Sequence, residues 1–128
     1  MGVNRLLLVD DEISLLGLLE KYLLRLGYQV DACATANDAW QRFEQMPEAY
    51  AAVVADLTLP DMSGEELLNR VLRLSPSARV LVCSGYPFDI SRLPLANPAQ
   101  AGFLQKPFLP KALAEALDRL LKQPQPAV

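Results

Sequence analysis

Two short apolar runs that end in acidic residues most constrain how this chain can fold. Residues 6–9, Leu-Leu-Leu-Val, precede Asp10 and Asp11, and residues 52–55, Ala-Val-Val-Ala, precede Asp56. Uniformly apolar runs of this length are typical of strands that are buried on both faces of a parallel sheet. Such sheets gather functional groups just beyond the carboxyl ends of their strands. The sequence therefore predicts an α/β fold in which two strands end in carboxylates.

Strand-like and helix-like segments alternate along the rest of the chain. We predict five strands, at residues 5–10, 28–33, 51–56, 78–83 and 101–105. Helices are predicted at about 12–26, from Thr35 to about Met46, and at 65–74 and 110–121. Between the last two strands, Pro87, Pro94 and Pro98 limit any helix to about 88–93, so we expect a short or irregular fourth helix.

Apolar periodicity also predicts which residues of the helices face the core. Steps of three and four along the first helix select Ile13, Leu16, Leu19, Leu23 and Leu26. The helix at 65–74 has its apolar positions at Leu67, Leu68, Val71, Leu72 and Leu74. The last helix turns Leu113, Ala116, Leu117, Leu120 and Leu121 inward.

This alternation indicates one flavodoxin-like (βα)5 domain, doubly wound around a parallel five-stranded sheet. Right-handed crossovers and short connections favour the strand order 2-1-3-4-5, with the first and third strands side by side at the switch point. Asp10, Asp11 and Asp56 are then expected to share one crevice. The domain is assigned to residues 1–122, and residues 123–128, with two prolines in six residues, are interpreted as a tail or a linker stub.

Composition excludes several classes of function. A chain of 128 residues with 52% hydrophobic content suits one domain, and it has no apolar run of the roughly 20 residues that span a bilayer. We expect a cytoplasmic protein without membrane insertion, whose Cys33 and Cys83 are core thiols rather than a disulfide. The net charge of -3 argues against nucleic acid as a direct partner. The absence of histidine removes Ser-His and Cys-His nucleophiles and histidine zinc sites.

Three carboxylates in one crevice repel one another unless a cation lies between them. Hard oxygen ligands without histidine or cysteine favour Mg²⁺, together with phosphate oxygens. Asp56 is then placed to attack phosphorus and form an aspartyl phosphate, and Lys106 to neutralise the phosphate. Ser84, directly after the fourth strand, can donate its hydroxyl to a phosphate oxygen. The backbone carbonyl of Thr58 can reach the same metal.

Each of these residues also has an ordinary structural explanation when it is taken alone. An aspartate after a strand can turn the chain or cap a helix, and Lys106 can be a surface lysine before a helix. Ser84 can be a turn serine beside a glycine, and Thr58 a plain loop residue. Phe103, in the fifth strand, is by default a core aromatic residue. The occurrence of all these groups at strand ends favours the functional interpretation.

In this order and spacing, the residues resemble the receiver domain of two-component response regulators over nearly the whole chain. The resemblance rests on four motifs: Val9-Asp10-Asp11-Glu12, Asp56-Leu57-Thr58-Leu59-Pro60-Asp61-Met62-Ser63-Gly64, Ser84-Gly85-Tyr86 and Lys106-Pro107-Phe108. Such domains are phosphoacceptor switches that catalyse at most their own phosphorylation and dephosphorylation.

The resemblance implies a role for each matching residue. Asp56 is the phosphoacceptor, Asp11, Asp56 and the Thr58 carbonyl bind Mg²⁺, and Asp10 acts largely through metal-bound water. Ser84 and Phe103 form the coupled switch pair, and the output face is made by the fourth helix, the fifth strand and the last helix. The phosphoryl source is a phosphohistidine on a histidine kinase or phosphotransfer protein, whereas the downstream effector is not specified.

The chain departs from the family pattern in three respects. The prolines put dimerisation through the fourth helix in doubt, and Phe103 lacks the hydroxyl of the commoner tyrosine. No effector domain follows Leu121, so we expect either a stand-alone receiver or one cut from a larger protein such as a hybrid kinase. Leu15, Leu18 and Tyr22 lie off the main inward stripe of the first helix; they either dock the upstream partner or complete a wide core face.

Three other functions compete with this interpretation. A phosphohydrolase resembling the haloacid dehalogenase group would have an acid two residues after its nucleophile, where Thr58 stands, and a cap for which there is no room. A flavin carrier would have a polar phosphate loop after the first strand, where this chain has Asp10, Asp11 and Glu12. A degenerate receiver that binds partners without being phosphorylated is the main alternative.

Overall fold

The computed structural model of the protein describes residues 4–122 and shows the predicted alternation of strands and helices. The strands are β1 (Arg5–Val9), β2 (Gln29–Cys33), β3 (Ala52–Asp56), β4 (Val80–Ser84) and β5 (Ala101–Gln105). The α-helices are α1 (Ile13–Arg25), α2 (Ala36–Gln45), α3 (Gly64–Leu74) and α4 (Pro110–Lys122). Their bounds differ from the predicted ones by at most two residues. The predicted tail, 123–128, lies outside the described residues.

All four strand pairings are parallel, and the order is β2-β1-β3-β4-β5, as predicted. Val9, the last residue of β1, pairs with Cys33 on one side and with Ala55 on the other. On the far side of β3, Asp56 pairs with Cys83. The strand ends that carry Asp10 and Asp56 are therefore neighbours at the carboxyl edge of the sheet.

The sheet separates two cores because its side chains alternate between the two faces. Leu7, Val9, Val53 and Val82 pack with α2 and α3 on one face. Leu6, Leu8, Val54 and Leu81 pack with α1 and α4 on the other. Cys33 belongs to the first core and Cys83 to the second, and both thiols are free and buried. This agrees with their predicted role as core residues.

Local signals in the sequence explain where the helices begin and end. Gly27 ends the first helical segment with a φ of 98°, in the region that favours glycine. The side chain of Thr35 caps α2 by accepting a hydrogen bond from the amide of Asp38. Ser63 caps α3 in the same way, with the amide of Glu66 as donor.

Three of the predicted core positions are wrong. Ile13 is 66% exposed, Leu26 is 52% exposed and Leu74 is 46% exposed. Ile13 and Leu74 are terminal residues of their helices, and Leu26 is the C-cap of α1. Periodicity predicts the direction in which a side chain points, but not whether a neighbouring element covers that end of the helix. Leu16, Leu19 and Leu23, in the middle of α1, are buried as predicted.

The connection between β4 and β5 is irregular, as the prolines predict. It contains two short 3-10 turns, Ile90–Arg92 and Pro98–Gln100, instead of an α-helix. Leu93 anchors the first turn in the core at 4% exposure. Gln100 anchors the second, because its buried amide donates to the carbonyls of Pro76 and Ala78 at 2.9 and 2.7 Å. This segment therefore has its own fixed packing.

Among residues 4–122, no helix combines the length and apolarity needed to cross a membrane.

Candidate functional site

Three carboxylates meet at the carboxyl edge of the sheet. Asp10 and Asp11 follow β1, and Asp56 is the last residue of β3. One oxygen from each lies within 4.8 Å of the others. Asp10 is 4% exposed and Asp56 is 6% exposed, whereas Asp11 faces solvent. The fold thus brings the three predicted carboxylates into one crevice that is open on one side.

Lys106, the residue after β5, reaches across the sheet into this crevice. Its Nζ lies 2.8 Å from Asp10 Oδ2, 3.0 Å from Asp56 Oδ2 and 3.4 Å from Glu12 Oε1. Its backbone amide donates to the carbonyl of Ser84 at 2.7 Å, which fixes the start of the side chain, and the peptide bond to Pro107 is cis. The ammonium group is therefore held between the two buried carboxylates.

The electrostatic environment keeps Lys106 protonated. Burial by itself opposes the charged form, but hydrogen bonds and attraction from Asp10 and Asp56 outweigh it and raise the pKa of Lys106 above its usual value of 10.5. Lys106 therefore carries a full positive charge at neutral pH.

Backbone amides orient both buried carboxylates. The amide of Glu12 donates to Asp10 Oδ1 at 2.9 Å, and the amide of Thr58 donates to Asp56 Oδ1 at 3.2 Å. Because Lys106 binds the other oxygen of each carboxylate, both oxygens of Asp10 and both of Asp56 have a protein partner. The two side chains are thus fixed in position.

The donor set and its charge suit a divalent cation. Three aspartates and one lysine leave two formal negative charges in the crevice, even without Glu12. All the candidate ligands are carboxylate oxygens, which are the hard ligands that Mg²⁺ and Ca²⁺ prefer. The crevice is therefore an acidic pocket that can bind a metal ion.

The remaining predicted site residues lie at different distances from the crevice. Ser84 is 1% exposed at the end of β4, and its Oγ accepts a hydrogen bond from the amide of Tyr86 at 3.1 Å. Thr58 is exposed and takes part through its backbone amide. Phe103 pairs with Val82, two positions before the end of β5, and packs half-buried against the core on the side of α2 and α3.

Two residues at the site were not assigned roles from the sequence. Glu12 contributes the third carboxylate contact of Lys106. Asp61 accepts hydrogen bonds from the amides of Ala36 and Asn37 at 3.0 and 2.8 Å, at the start of α2. The acidic run that precedes Glu12 was a visible signal. Asp61 had no comparable signal, because its partners lie about 25 residues away in the chain.

An apolar groove opens beside the crevice. It has a volume of about 520 Å³ and is lined by Glu12, Leu15, Gly85, Lys106, Pro107 and Phe108. Close to these lining residues in the chain, Ile13 is 66% exposed, Leu18 is 55% exposed and Leu109 is 74% exposed. Leu15 packs partly against the core of α1 and α4, and Tyr22 is half-buried. Of the three residues proposed for docking, Leu18 is thus the one that is mainly exposed.

Comparison with known proteins shows the family to which the chain belongs. The family profile of the response regulator receiver domain matches residues 6–118. The chemotaxis protein CheY of Thermotoga maritima is 27% identical over 120 residues, which cover 93% of this chain and 98% of that protein. The sensor kinase CckA of Brucella abortus is 31% identical over 122 residues, which cover 95% of this chain but only 13% of the kinase.

Solved structures show the same fold. A CheY-like response regulator receiver domain protein from Methanospirillum hungatei JF-1 superposes with a TM-score of 0.82 at 27% identity, and the match covers 94% of each chain. The receiver domain of the hybrid histidine kinase CckA has a TM-score of 0.79 at 26% identity, over 93% of this chain and all of that domain. With the family profile covering most of its length, the chain belongs to the response regulator receiver domains of two-component systems.

Proposed function

We propose that the protein is a Mg²⁺-dependent phosphoacceptor switch in which Asp56 accepts a phosphoryl group. The observation that carries the proposal is the state of the Asp56 carboxylate. It is buried beside Asp10 and Asp11, with one oxygen held by the Thr58 amide and the other by Lys106. A carboxylate held in this way is prepared for in-line attack on phosphorus.

In the proposed reaction, an oxygen of Asp56 forms a bond to phosphorus while the bond from phosphorus to the imidazole nitrogen of a phosphohistidine breaks. The electron pair of that bond leaves with the imidazole. Lys106 Nζ lies 3.0 Å from Asp56 Oδ2, so it is within reach of the phosphoryl oxygens and balances their charge. Ser84, on the adjacent strand, donates its hydroxyl to a phosphoryl oxygen after a small loop shift.

Mg²⁺ would be held by Asp11, Asp56 and the Thr58 carbonyl, with Asp10 acting largely through metal-bound water. The ion would supply charge neutralisation for the phosphoryl oxygens. The acidic excess of the crevice supports this assignment, because Lys106 balances only one of the three aspartates.

Phosphorylation would add a charge of about -1.5 to -2 at Asp56 and new acceptor oxygens. Rearrangement of Ser84 would break its hydrogen bond with the Tyr86 amide, and the ring of Phe103 would turn inward behind it. The output face would then consist of β5, α4 and the two 3-10 turns, because this chain has no α-helix between β4 and β5 within the described residues.

The phosphoryl donor would be a histidine kinase or a histidine phosphotransfer protein. Leu15 and Lys106 both line the apolar groove, and exposed Leu18 follows Leu15 by three positions on α1. A partner seated on this surface would bring its phosphohistidine to the crevice. The downstream effector is a second protein of unassigned identity. The cytoplasmic location and the absence of direct nucleic-acid contact stay predictions from the sequence.

The test is the intact mass of the protein after incubation with acetyl phosphate, with and without Mg²⁺. We expect a metal-dependent gain of one phosphoryl group by the wild type and no gain by Asp56→Asn. Asp38→Asn is a matched control, because Asp38 lies on α2 and pairs with Arg42. If neither acetyl phosphate nor phosphorylated histidine proteins modified the wild type, the alternative, a degenerate receiver that binds partners unphosphorylated, would replace this proposal.

A further inference from the structure

Asp61 connects the loop at residues 57–63, which follows Asp56 and is called here the phosphoacceptor loop, to the first turn of α2. The loop runs between β3 and α3. The carboxylate of Asp61 accepts hydrogen bonds from the amides of Ala36 and Asn37 at 3.0 and 2.8 Å. These amides lie in the first helical turn, where backbone donors have no partner within the helix. The hydroxyl oxygen of Thr35 accepts a hydrogen bond from the amide of Asp38 at 3.2 Å. Asp61 thus completes a cap that Thr35 provides only in part.

The other end of the same loop closes on the backbone of Asp56. The amide of Gly64 donates to the carbonyl of Leu57 at 2.8 Å. A Cβ on Gly64 would overlap the carbonyl oxygen of Asp56, so the two backbones are in direct contact. The loop is therefore closed at its base by backbone contacts with Asp56 and Leu57, and a side chain that holds its outer part also restrains the backbone next to Asp56.

The contact made by Asp61 also closes a ring of interactions around the acidic crevice. The amide of Asp10 donates to the carbonyl of Cys33 at 3.1 Å, and Cys33 leads in three residues to Ala36. Ala36 bonds to Asp61, and the loop runs from Asp61 back to Asp56. Lys106 then joins Asp56 to Asp10. Together these contacts fix the carboxylates of Asp10 and Asp56 relative to each other.

We propose that Asp61 is a positioning residue, which holds the phosphoacceptor loop in place so that Asp56 and the Thr58 carbonyl face Asp10 and Asp11 before a cation binds. This inference rests on the proposed metal site but assigns a residue outside it. The hydrogen bonds from the amides of Ala36 and Asn37 to Asp61 and the binding of the metal are then coupled in both directions. If these hydrogen bonds favour metal binding, bound metal must stabilise them by the same factor.

The acidity of Asp61 is consistent with this role. Hydrogen bonds from the amides of Asn37 and Ala36 lower the pKa of Asp61 below its usual 3.8, although desolvation acts in the opposite direction. Asp61 is therefore ionised at neutral pH, and its two acceptor oxygens match the two amides.

The experiment measures Mg²⁺ affinity by calorimetry, without a phosphodonor, for the wild type, Asp61→Ala and Thr35→Val. Thr35→Val is the matched control because it removes a cap from the same helix without touching the loop. We expect Asp61→Ala to weaken Mg²⁺ binding about fivefold or more, and Thr35→Val to weaken it less than twofold. Thermal unfolding of both variants shows that they are folded and compares their stabilities.

Amide hydrogen exchange provides a second measurement that does not depend on affinity. In the wild type, Mg²⁺ should slow exchange at Ala36 and Asn37 by a similar factor, and Asp61→Ala should abolish that response. Unchanged Mg²⁺ affinity in Asp61→Ala, or an equal loss in Thr35→Val, would overturn the positioning role while leaving the metal site intact. A wild type that bound no Mg²⁺ would instead overturn the proposed metal site, and this inference with it.

Discussion

Lys106 and Asp56 are fifty residues apart in the chain, yet Nζ of the one lies 3.0 Å from Oδ2 of the other. The contact spans β4, since Asp56 ends β3 and Lys106 follows β5. It is possible because a long side chain at the end of an edge strand can reach along the carboxyl edge of the sheet. One ammonium group thereby partly balances a pocket of three aspartates.

Removing that ammonium should destabilise the metal-free protein. We expect Lys106→Met to lower the free energy of unfolding at pH 7 by about 3 kcal/mol, because Asp10 and Asp56 stay buried without a counter-charge. Saturating Mg²⁺ should recover part of this loss, since it binds the folded state. Urea unfolding with and without Mg²⁺ measures both effects.

Lys122→Met is the control for this substitution. Lys122 is exposed and pairs with Asp118 on the same helix, so its loss should leave the free energy of unfolding nearly unchanged. Equal effects of the two substitutions would show that the ion pairs of Lys106 do not stabilise the fold.

Gly64→Ala should distort the phosphoacceptor loop. Its Cβ would overlap the Asp56 carbonyl oxygen and the Leu57 Cα, both of which are backbone atoms that cannot move aside alone. We expect a loss of about 2 kcal/mol or more in unfolding free energy, together with slower phosphorylation by acetyl phosphate.

Gly17→Ala is the matched control, because nothing lies within 4 Å of a Cβ at this position in α1. It should stabilise the protein by about 0.5–1 kcal/mol through helix propensity. Urea unfolding compares the two variants, and a stabilising Gly64→Ala would contradict the close contact described above.

Leu18→Glu should impair docking of the protein donor without affecting the phosphorylation reaction at Asp56. Leu18 is 55% exposed and follows the groove residue Leu15 by three positions on α1, so a charge there should leave stability and phosphorylation by acetyl phosphate unchanged. Phosphotransfer should fall about tenfold, which corresponds to about 1.4 kcal/mol of lost contact. The phosphoryl donor is chosen from a panel of phosphorylated histidine kinases and phosphotransfer proteins, as the one that phosphorylates the wild type fastest.

Leu24→Glu controls for a charge on the same helix, since Leu24 is 49% exposed nearer the end of α1. If both substitutions slowed transfer equally, or if neither did, the groove would not be the docking surface.

The buried thiols should make stability fall in alkaline solution. Burial raises the pKa of Cys33 and of Cys83 from 9.0 to about 12. Above pH 9 the unfolded chain loses these protons whereas the folded protein keeps them. The free energy of unfolding should therefore fall between pH 9 and about 12, by up to about 1.4 kcal/mol per pH unit for each thiol.

The variant Cys33→Ala/Cys83→Ala should show a smaller fall between pH 8 and 10, measured by urea unfolding at intervals of about half a pH unit. The range stops there because Tyr28 and Tyr50, whose pKa values burial raises from 10.0, contribute at higher pH. If the free energy of unfolding fell equally steeply with pH in this variant, the thiols would titrate alike in the folded and unfolded states.

The architecture was predictable because it depends on short-range patterns. Apolar runs such as residues 52–55, interrupted at regular intervals by amphipathic stretches, leave few arrangements other than a parallel sheet covered on both faces. The prolines between β4 and β5 predicted an irregular connection, and the structure has two 3-10 turns there. Helix termini were less predictable, as exposed Ile13, Leu26 and Leu74 show.

The sequence by itself determined the strand order, the edge at which the acidic residues gather and the family, because strand-end residues of a parallel sheet are placed by topology alone. Only the tertiary structure decided that Lys106 binds Asp10 and Asp56 together, and that Asp61 caps a helix from another loop. The physical reason is the distance along the chain over which each kind of information acts. Patterns of apolar residues act over a few positions, whereas a hydrogen bond depends on ångström-scale distances between atoms that packing of the whole chain brings together.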